Sequence, residues 1–319
     1  MSNEEMKTDV LVVGTLCYDV IGSVDGTLPK NSITARLGHV RYEDGGRGAN
    51  VAVYAALAGS SASIAARVGR DFRDSDYWDR LNRIGVSTAS LYHQKDTLTP
   101  RTFIYSDPND MVLYFYPAFE NLSHQDAYIR HTADVVGSLE HEAIYVSSEL
   151  TQANLVALES SQAALKVFGP AHDAGRHSPA ELAAALSAAH WFIVNTVELK
   201  QVCELLDRSP GAIVRDFGLE VLVATRGAEG VDLIYPLDAT HLAAYGPRLV
   251  ADPTGAGDAF AGTLIARYLS SGELVRSAQL AASVASFVVE QIGCQVSLPP
   301  MADIAARAGQ PWEASVEIN

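Results

Sequence analysis

Short apolar runs alternate along this chain with stretches of helical periodicity. That order predicts a mainly parallel sheet covered by helices, because parallel neighbours need a long crossover and the crossover is usually a helix. Val10 to Gly14 reads as the first strand, Arg47 to Ala58 as a helix, Ser63 to Val68 as a strand, and Ser75 to Ile84 as a helix with Tyr77, Trp78 and Leu81 on its apolar side. The rhythm continues through strand Ala143 to Ser147, helix Ala153 to Ala164, strand Val167 to Gly169, helix Pro179 to Ala189 and strand Trp191 to Asn195. Strand Val221 to Thr225, an antiparallel strand Gly230 to Tyr235, helix Asp258 to Leu269 and a long apolar helix Glu273 to Ile292 complete it. Two stretches break the pattern. Val20 to Arg41 and Thr99 to Tyr116 carry β-prone Val, Ile, Tyr and Phe among turn residues, and read as strands of a small lid inserted into the α/β domain. No internal repeat or low-complexity linker divides the chain, so residues 1–319 read as one domain, with the lid at about 20–41 and 99–116.

Composition excludes several functions. With 48% hydrophobic residues in 319, the chain has ample material for a packed core. A formal net charge of −15 argues against non-specific binding to nucleic acid or to anionic membranes, although a local site can still be positive. Cys17, Cys203 and Cys294 are widely separated with no CxxC pair, which suggests neither a zinc cluster nor a disulfide framework and fits a reducing cytoplasm. No segment has the length and apolarity of a signal peptide or membrane span, so a soluble intracellular protein is expected.

The chemistry concentrates at Asp252-Pro253-Thr254-Gly255-Ala256-Gly257-Asp258-Ala259-Phe260-Ala261, where a two-glycine turn opens into an apolar helix with a carboxylate in its first turn. The first N–H groups of a helix have no intrahelical partner and its dipole is positive there, so the turn is suited to hold a transferring phosphoryl group. Asp258 is placed to take the proton of an attacking hydroxyl. By itself the turn is also an ordinary helix start. A second glycine turn, Glu43-Asp44-Gly45-Gly46-Arg47-Gly48-Ala49-Asn50, feeds another helix, and two such turns in one chain are harder to dismiss.

Taken in order, GGRGAN at Gly45 to Asn50, NTVE at Asn195 to Glu198, TRGAEG at Thr225 to Gly230 and DPTGAGDAF at Asp252 to Phe260 resemble the ribokinase-like (PfkB) family of carbohydrate and nucleoside kinases. The resemblance spans almost the whole chain. It implies that Asp258 is the base, and that the backbone of Gly255, Ala256 and Gly257 forms an anion hole for the transferring group. It implies that Asn195 and Glu198 arrange Mg2+ and its waters around ATP, where the residues alone also read as a helix cap. Thr225, Gly227 and Gly230 match the family's nucleotide-binding turn; standing alone the pattern is more often a hairpin turn, and both readings can hold. Asp19, Gly46 and Asn50 match positions that hold sugar hydroxyls. Asp252 and Thr254, with Gly293 to Ser297, resemble the loops that hold a monovalent cation such as K+ in some members. Cys294 then reads as a buried, inert neighbour of that site; Arg47 could meet an anionic substrate, but is expected to be solvated on its helix face.

The sequence departs from the family at Gly169 to Asp173, which puts any ligand contact from His172 or Asp173 in doubt. A P-loop kinase is disfavoured because no lysine follows a glycine, and a Rossmann dehydrogenase because Gly14 to Asp19 lacks GxGxxG. A nucleotide sensor that has lost catalysis is disfavoured by the intact Asp258 and its glycines. The substrate is left between a nucleoside, adenosine above all, and a ribose- or fructose-type sugar. Phe103, Tyr105, Tyr114, Phe115 and Tyr116 are suited to stack on a nucleobase, and Tyr114 to Pro117 looks like an adenosine kinase lid, whereas GGRGAN looks more like a sugar kinase. Phe115 is the expected stacking residue, and the lid the expected surface for a homodimer.

Overall fold

The computed structural model describes residues 7–24, 37–106, 112–115, 125–147 and 152–309. In its first half, strands β1 (Lys7–Val13), β2 (Cys17–Val24) and β3 (Leu37–Gly45) lead to helix α1 (Arg47–Leu57). After these come β4 (Ala62–Ala65), β5 (Arg67–Gly69), α2 (Asp76–Ile84), β6 (Val86–Ser87), β7 (Tyr92–Gln94), β8 (Arg101–Ser106), β9 (Val112–Phe115) and α3 (Gln125–Ser138). The second half runs β10 (Glu140–Ser147), α4 (Gln152–Ser160), β11 (Leu165–Gly169), α5 (Pro179–Ala188), β12 (Trp191–Asn195), α6 (Thr196–Leu206), α7 (Pro210–Asp216) and β13 (Val221–Thr225). It closes with the hairpin β14 (Val231–Ile234) and β15 (Ala239–Leu242), then α8 (Ala256–Ser271), α9 (Leu274–Val288) and α10 (Met301–Arg307).

Nine strands form the central sheet in the order β15-β14-β13-β12-β11-β10-β1-β4-β6. All pairs from β13 to β6 are parallel, and only the β13-β14-β15 end is antiparallel. Both faces are covered, and β1 shows how. Val10 and Val12 join a core with α1 and α8, while the alternate residues Leu11 and Val13 join a second core with α4, α5 and α6. This is the expected α/β architecture, and it brings the carboxyl ends of the parallel strands to one edge, where ligands bind in open sheets of this kind.

A second sheet of four strands, β3-β2-β8-β9, stands beside the first. It occupies the stretches read as a lid, but β2 begins at Cys17 and β3 runs on to Gly45, so Asp19 lies inside a strand rather than in a turn before one. Residues 25–36, 107–111 and 116 of the expected lid lie outside the described residues. Other boundaries move as well: the first strand begins at Lys7, the strand before Ser147 at Glu140, the strand before Gly169 at Leu165, and the helix through Asp258 runs from Ala256 to Ser271. The expected strand Ser63 to Val68 divides at Ala66, with β4 in the main sheet and β5 pairing only with β7. The expected helix Ala153 to Ala164 ends at Ser160, because Leu165 already pairs with Ala143. The expected helix to Ile292 ends at Val288, where the chain turns back so that Val289 O accepts from Ala251 N at 2.7 Å.

Candidate active site

Two glycine turns meet at the carboxyl edge of the sheet. The first enters α1 through Gly46, whose φ of 95° is a left-handed value and whose Cβ, if it had one, would lie 2.6 Å from Leu16 Cα. Only glycine fits both conditions. The second enters α8 through Gly255, with φ 81° and a would-be Cβ 2.8 Å from Cys294 Cα, so this turn is packed directly on the backbone of the 293–296 segment. Tyr54 secures that segment. Its hydroxyl donates to Cys294 O at 2.9 Å and accepts from Val296 N at 3.2 Å. Space is open beyond Gly257, where a Cβ would meet nothing within 4 Å, so an anion can approach the backbone at the start of α8.

Asp258, in the first turn of α8, is brought to the end of α1. Asn50 Nδ2 donates to Asp258 Oδ2 at 2.8 Å, and Arg47 Nε lies 3.3 Å from Asp258 Oδ1. The other end of the same guanidinium, Nη1, is 3.3 Å from Glu198 Oε1. The expected solvation of Arg47 is thus overturned: it is a largely buried cation between two carboxylates, because α1 is covered by α8 on one side and faces the β12–α6 turn on the other. Burial opposes its charge, but Tyr145, Glu198 and Asp258 outweigh that and hold its pKa above the ordinary arginine value.

Asn195 and Glu198 form a capping box. Asn195 Oδ1 accepts from Val197 N at 2.9 Å and Glu198 N at 2.8 Å, while Glu198 Oε2 accepts from Asn195 N at 3.0 Å. Glu198 is only 2% exposed. Its carboxylate therefore has a structural role and is also linked to Asp258 through Arg47. Thr225 pairs with Asn195 across the parallel β12–β13 register, and Gly227 and Gly230 shape the turn into β14 with φ of 56° and 105°. The hairpin reading of TRGAEG is correct, and the hairpin brings that turn beside the NTVE element.

Asp19, on β2 and 6% exposed, is turned toward Asp258 and Cys294. The Cys17 thiol donates to Oδ1 at 3.4 Å and the Cys294 thiol to Oδ2 at 3.8 Å. Burial, with smaller contributions from Asp258 and Glu43, outweighs these bonds and pushes its pKa up to about 6. An ionised Asp19 can accept two hydroxyl hydrogens; once protonated, one of its oxygens becomes a donor. The sign follows: kcat/KM for a polyol substrate should fall as the pH drops through about 6, approaching tenfold per unit below it, and Asp19→Asn should remove that limb. A pH profile with no inflection near 6 in the parent enzyme would exclude Asp19 from binding.

Asp252 is held by the Thr254 side chain and by three nitrogen donors, with Thr254 N on Oδ1 at 3.0 Å and Gly293 N and Arg41 Nη2 on Oδ2 at 3.2 and 2.9 Å. Its burial works against ionisation, but these groups keep its pKa below the ordinary carboxylate value.

Phe115 is not brought to the site. Register pairs it with Phe103, which pairs with Val20, which pairs with Tyr42, whereas Asp19 pairs with Glu43 and Thr102. Successive residues of a strand face opposite sides, so Phe115 lies on the sheet face away from Asp19, 54% exposed and 6.2 Å ring to ring from Tyr105. Tyr116 lies outside the described residues, as do the side chains of Tyr114, His172 and Asp173.

Sequence reasoning missed Gln295. Its Nε2 donates to Asn50 Oδ1 at 2.9 Å and to the Tyr77 hydroxyl at 2.6 Å, fixing the amide that holds Asp258. Its position within the flagged 293–297 segment was the available signal; the contact crosses 245 residues of chain and has no local pattern.

Residues 7–301 match the pfkB family carbohydrate kinase model. The chain belongs to that family. This kinase is 30% identical over 307 residues to a nucleoside kinase of Methanothermobacter thermautotrophicus, covering 95% of this chain and 96% of that one. It is 28% identical to the ribokinase of Mus musculus over 323 residues, 94% and 95% of the two chains. Among solved structures, the Methanocaldococcus jannaschii nucleoside kinase superposes with a TM-score of 0.83 at 23% identity, covering 95% of this chain and 99% of that one. The Burkholderia thailandensis nucleoside kinase in complex with inosine gives the same TM-score and identity over 94% and 96%. The ribokinase-like fold of the kinase is thereby established, lid sheet apart.

Proposed function

We propose that this kinase transfers the terminal phosphoryl group of ATP to the 5′-hydroxyl of a purine nucleoside, adenosine in the first instance. The observation that carries the reaction is the placement of Asp258 at the glycine-capped start of α8, fixed by Asn50 and Arg47 beside the open backbone of Gly257. The substrate oxygen attacks phosphorus, its proton passes to Asp258, the bond from phosphorus to the ADP oxygen breaks, and the backbone of Gly255 to Gly257 would meet the charge in transit, the Ala256 N–H turning from Pro253 O, to which it donates at 3.4 Å. Asp19, Gly46 and Asn50 would hold the ribose, and the Thr225 to Gly230 turn the nucleotide. Among the described residues no cluster of three or more His, Cys, Asp or Glu could hold a metal. Mg2+ would be carried mainly on phosphates and waters, where it would neutralise phosphate charge, with Asn195 and Glu198 ordering its water shell.

The nucleoside assignment is supported by the relatives named nucleoside kinases at 30% and 24% identity. A ribose-type sugar is the second reading, favoured by GGRGAN and by the likeness to mouse ribokinase. ADP release measured with adenosine, inosine, ribose and fructose decides between them. A kcat/KM for ribose or fructose above that for both nucleosides would reverse the assignment.

We further propose that the β3-β2-β8-β9 sheet is the lid of this site and that a second copy covers its outer face. Tyr42 at 73% exposure, Val40, Phe103 and Phe115 leave that face apolar and open to water. Phe115→Glu should convert a dimer to monomers at micromolar concentration in sedimentation; a parent enzyme already monomeric there would refute the pairing. Among the described residues no helix is long and apolar enough to cross a membrane, and the three free cysteines suit a reducing cytoplasm.

A further inference from the structure

The β3 strand carries Arg41 and Glu43 on the face of Asp19, and both come down on the loops that the family resemblance assigns to a monovalent cation. Arg41 Nη2 donates to Asp252 Oδ2 at 2.9 Å, and Arg41 Nε lies 3.7 Å from Glu43 Oε1. Glu43 in turn lies against the 293–296 segment, since a Cβ on Gly293 would stand 3.2 Å from Glu43 Oε2. A potassium ion needs oxygen ligands that are turned towards it. Here both Asp252 oxygens already accept from donors, Oδ1 from Thr254 N and Oδ2 from Gly293 N and the guanidinium, and the positive charge at this point is supplied by Arg41. A second cation at Asp252 would stand beside the Arg41 guanidinium and be repelled by it, so the donor set does not fit potassium.

We infer that Arg41 replaces the monovalent cation: it is a positioning residue whose charge neutralises Asp252 and holds the 252–255 turn against Gly293 and Cys294, so the anion hole forms without potassium. The inference rests on the proposed kinase site. It also ties the second sheet to the phosphoryl-transfer turn through one ion pair, since Arg41 belongs to that sheet and Asp252 to the turn.

The test compares potassium chloride with tetramethylammonium chloride at equal ionic strength for the parent enzyme, Arg41→Ala and Arg41→Lys, reading both ADP formation and the thermal midpoint. In the parent, rates should agree within about twofold and the midpoints should coincide. Arg41→Ala should lose about tenfold or more in kcat in the organic salt, with a smaller change in KM, and regain several-fold in potassium, which enters beside the vacated Asp252. Arg41→Lys, which keeps the charge, should remain indifferent to the salt. A parent enzyme stimulated several-fold or raised in midpoint by potassium overturns the inference. So does an Arg41→Ala enzyme that is as fast as the parent in both salts, or one that is slow in both. Should Arg41→Ala not fold, the parent and Arg41→Lys decide. Should the parent phosphorylate none of the substrates, the proposed function fails while its midpoints still report on the cation.

Discussion

Asp258→Asn is expected to turn over substrate about 10²- to 10⁴-fold more slowly than the parent enzyme, the range associated with loss of a general base. The amide is isosteric and can still present an oxygen to Asn50 Nδ2, although its NH2 then faces Arg47 Nε where a carboxylate oxygen stood, so some stability is lost along with the charge. What it cannot do is accept a proton from the attacking hydroxyl. Binding of substrate and nucleotide should change little by comparison, which equilibrium titration and steady-state kcat together would show. A variant with near-parent turnover removes Asp258 from the mechanism and leaves only the backbone of the glycine turn.

Arg47→Ala is expected to be damaging in two separable ways. Glu198 and Asp258 are both mostly buried, and the guanidinium spans them at 3.3 Å on each side. Removing one partner of a buried ionic group leaves uncompensated charge, which costs on the order of 3 kcal/mol of folding stability, far more than an exposed pair would. Chemical denaturation reads that loss. Turnover should fall by roughly 10²-fold as well, because a cation beside the base also faces the transferring phosphoryl group in the proposed site. Arg47→Lys should recover part of the stability but little of the rate, since a single ammonium cannot reach two carboxylates with the fixed fork of a guanidinium. Unchanged stability in Arg47→Ala would mean that the two carboxylates are balanced by other groups.

Several elements were legible in the sequence because their causes are local. The apolar runs Val10 to Val13, Trp191 to Val194 and Val221 to Ala224 lie almost where the pattern put them, and the Asn195–Glu198 cap is a four-residue signal with a four-residue cause. The ends of elements were less legible. Nothing between Ser63 and Val68 announces that β4 and β5 belong to different sheets, since what separates them is the choice of partner, β1 for one and β7 for the other. Phe115 shows the same limit at the level of one side chain. Its aromatic character fits a stacking role, but a strand shows alternate residues to opposite sides, and only the register with Phe103 and Val20 reveals that its side is not that of Asp19.

By itself, then, the sequence determined the alternating strands and helices, the two positive-φ glycine turns, and the presence of a carboxylate in the first turn of α8, because each depends on residues within one turn or one strand of each other. The tertiary structure alone decided that Asn50 and Asp258, 208 residues apart, share a hydrogen bond, that Arg47 is held between Glu198 and Asp258, and that Arg41 meets Asp252 across 211 residues. Those contacts are set by which strands pair and which helices pack across them, and a charged side chain carries no local mark of the partner that long-range packing will bring to it.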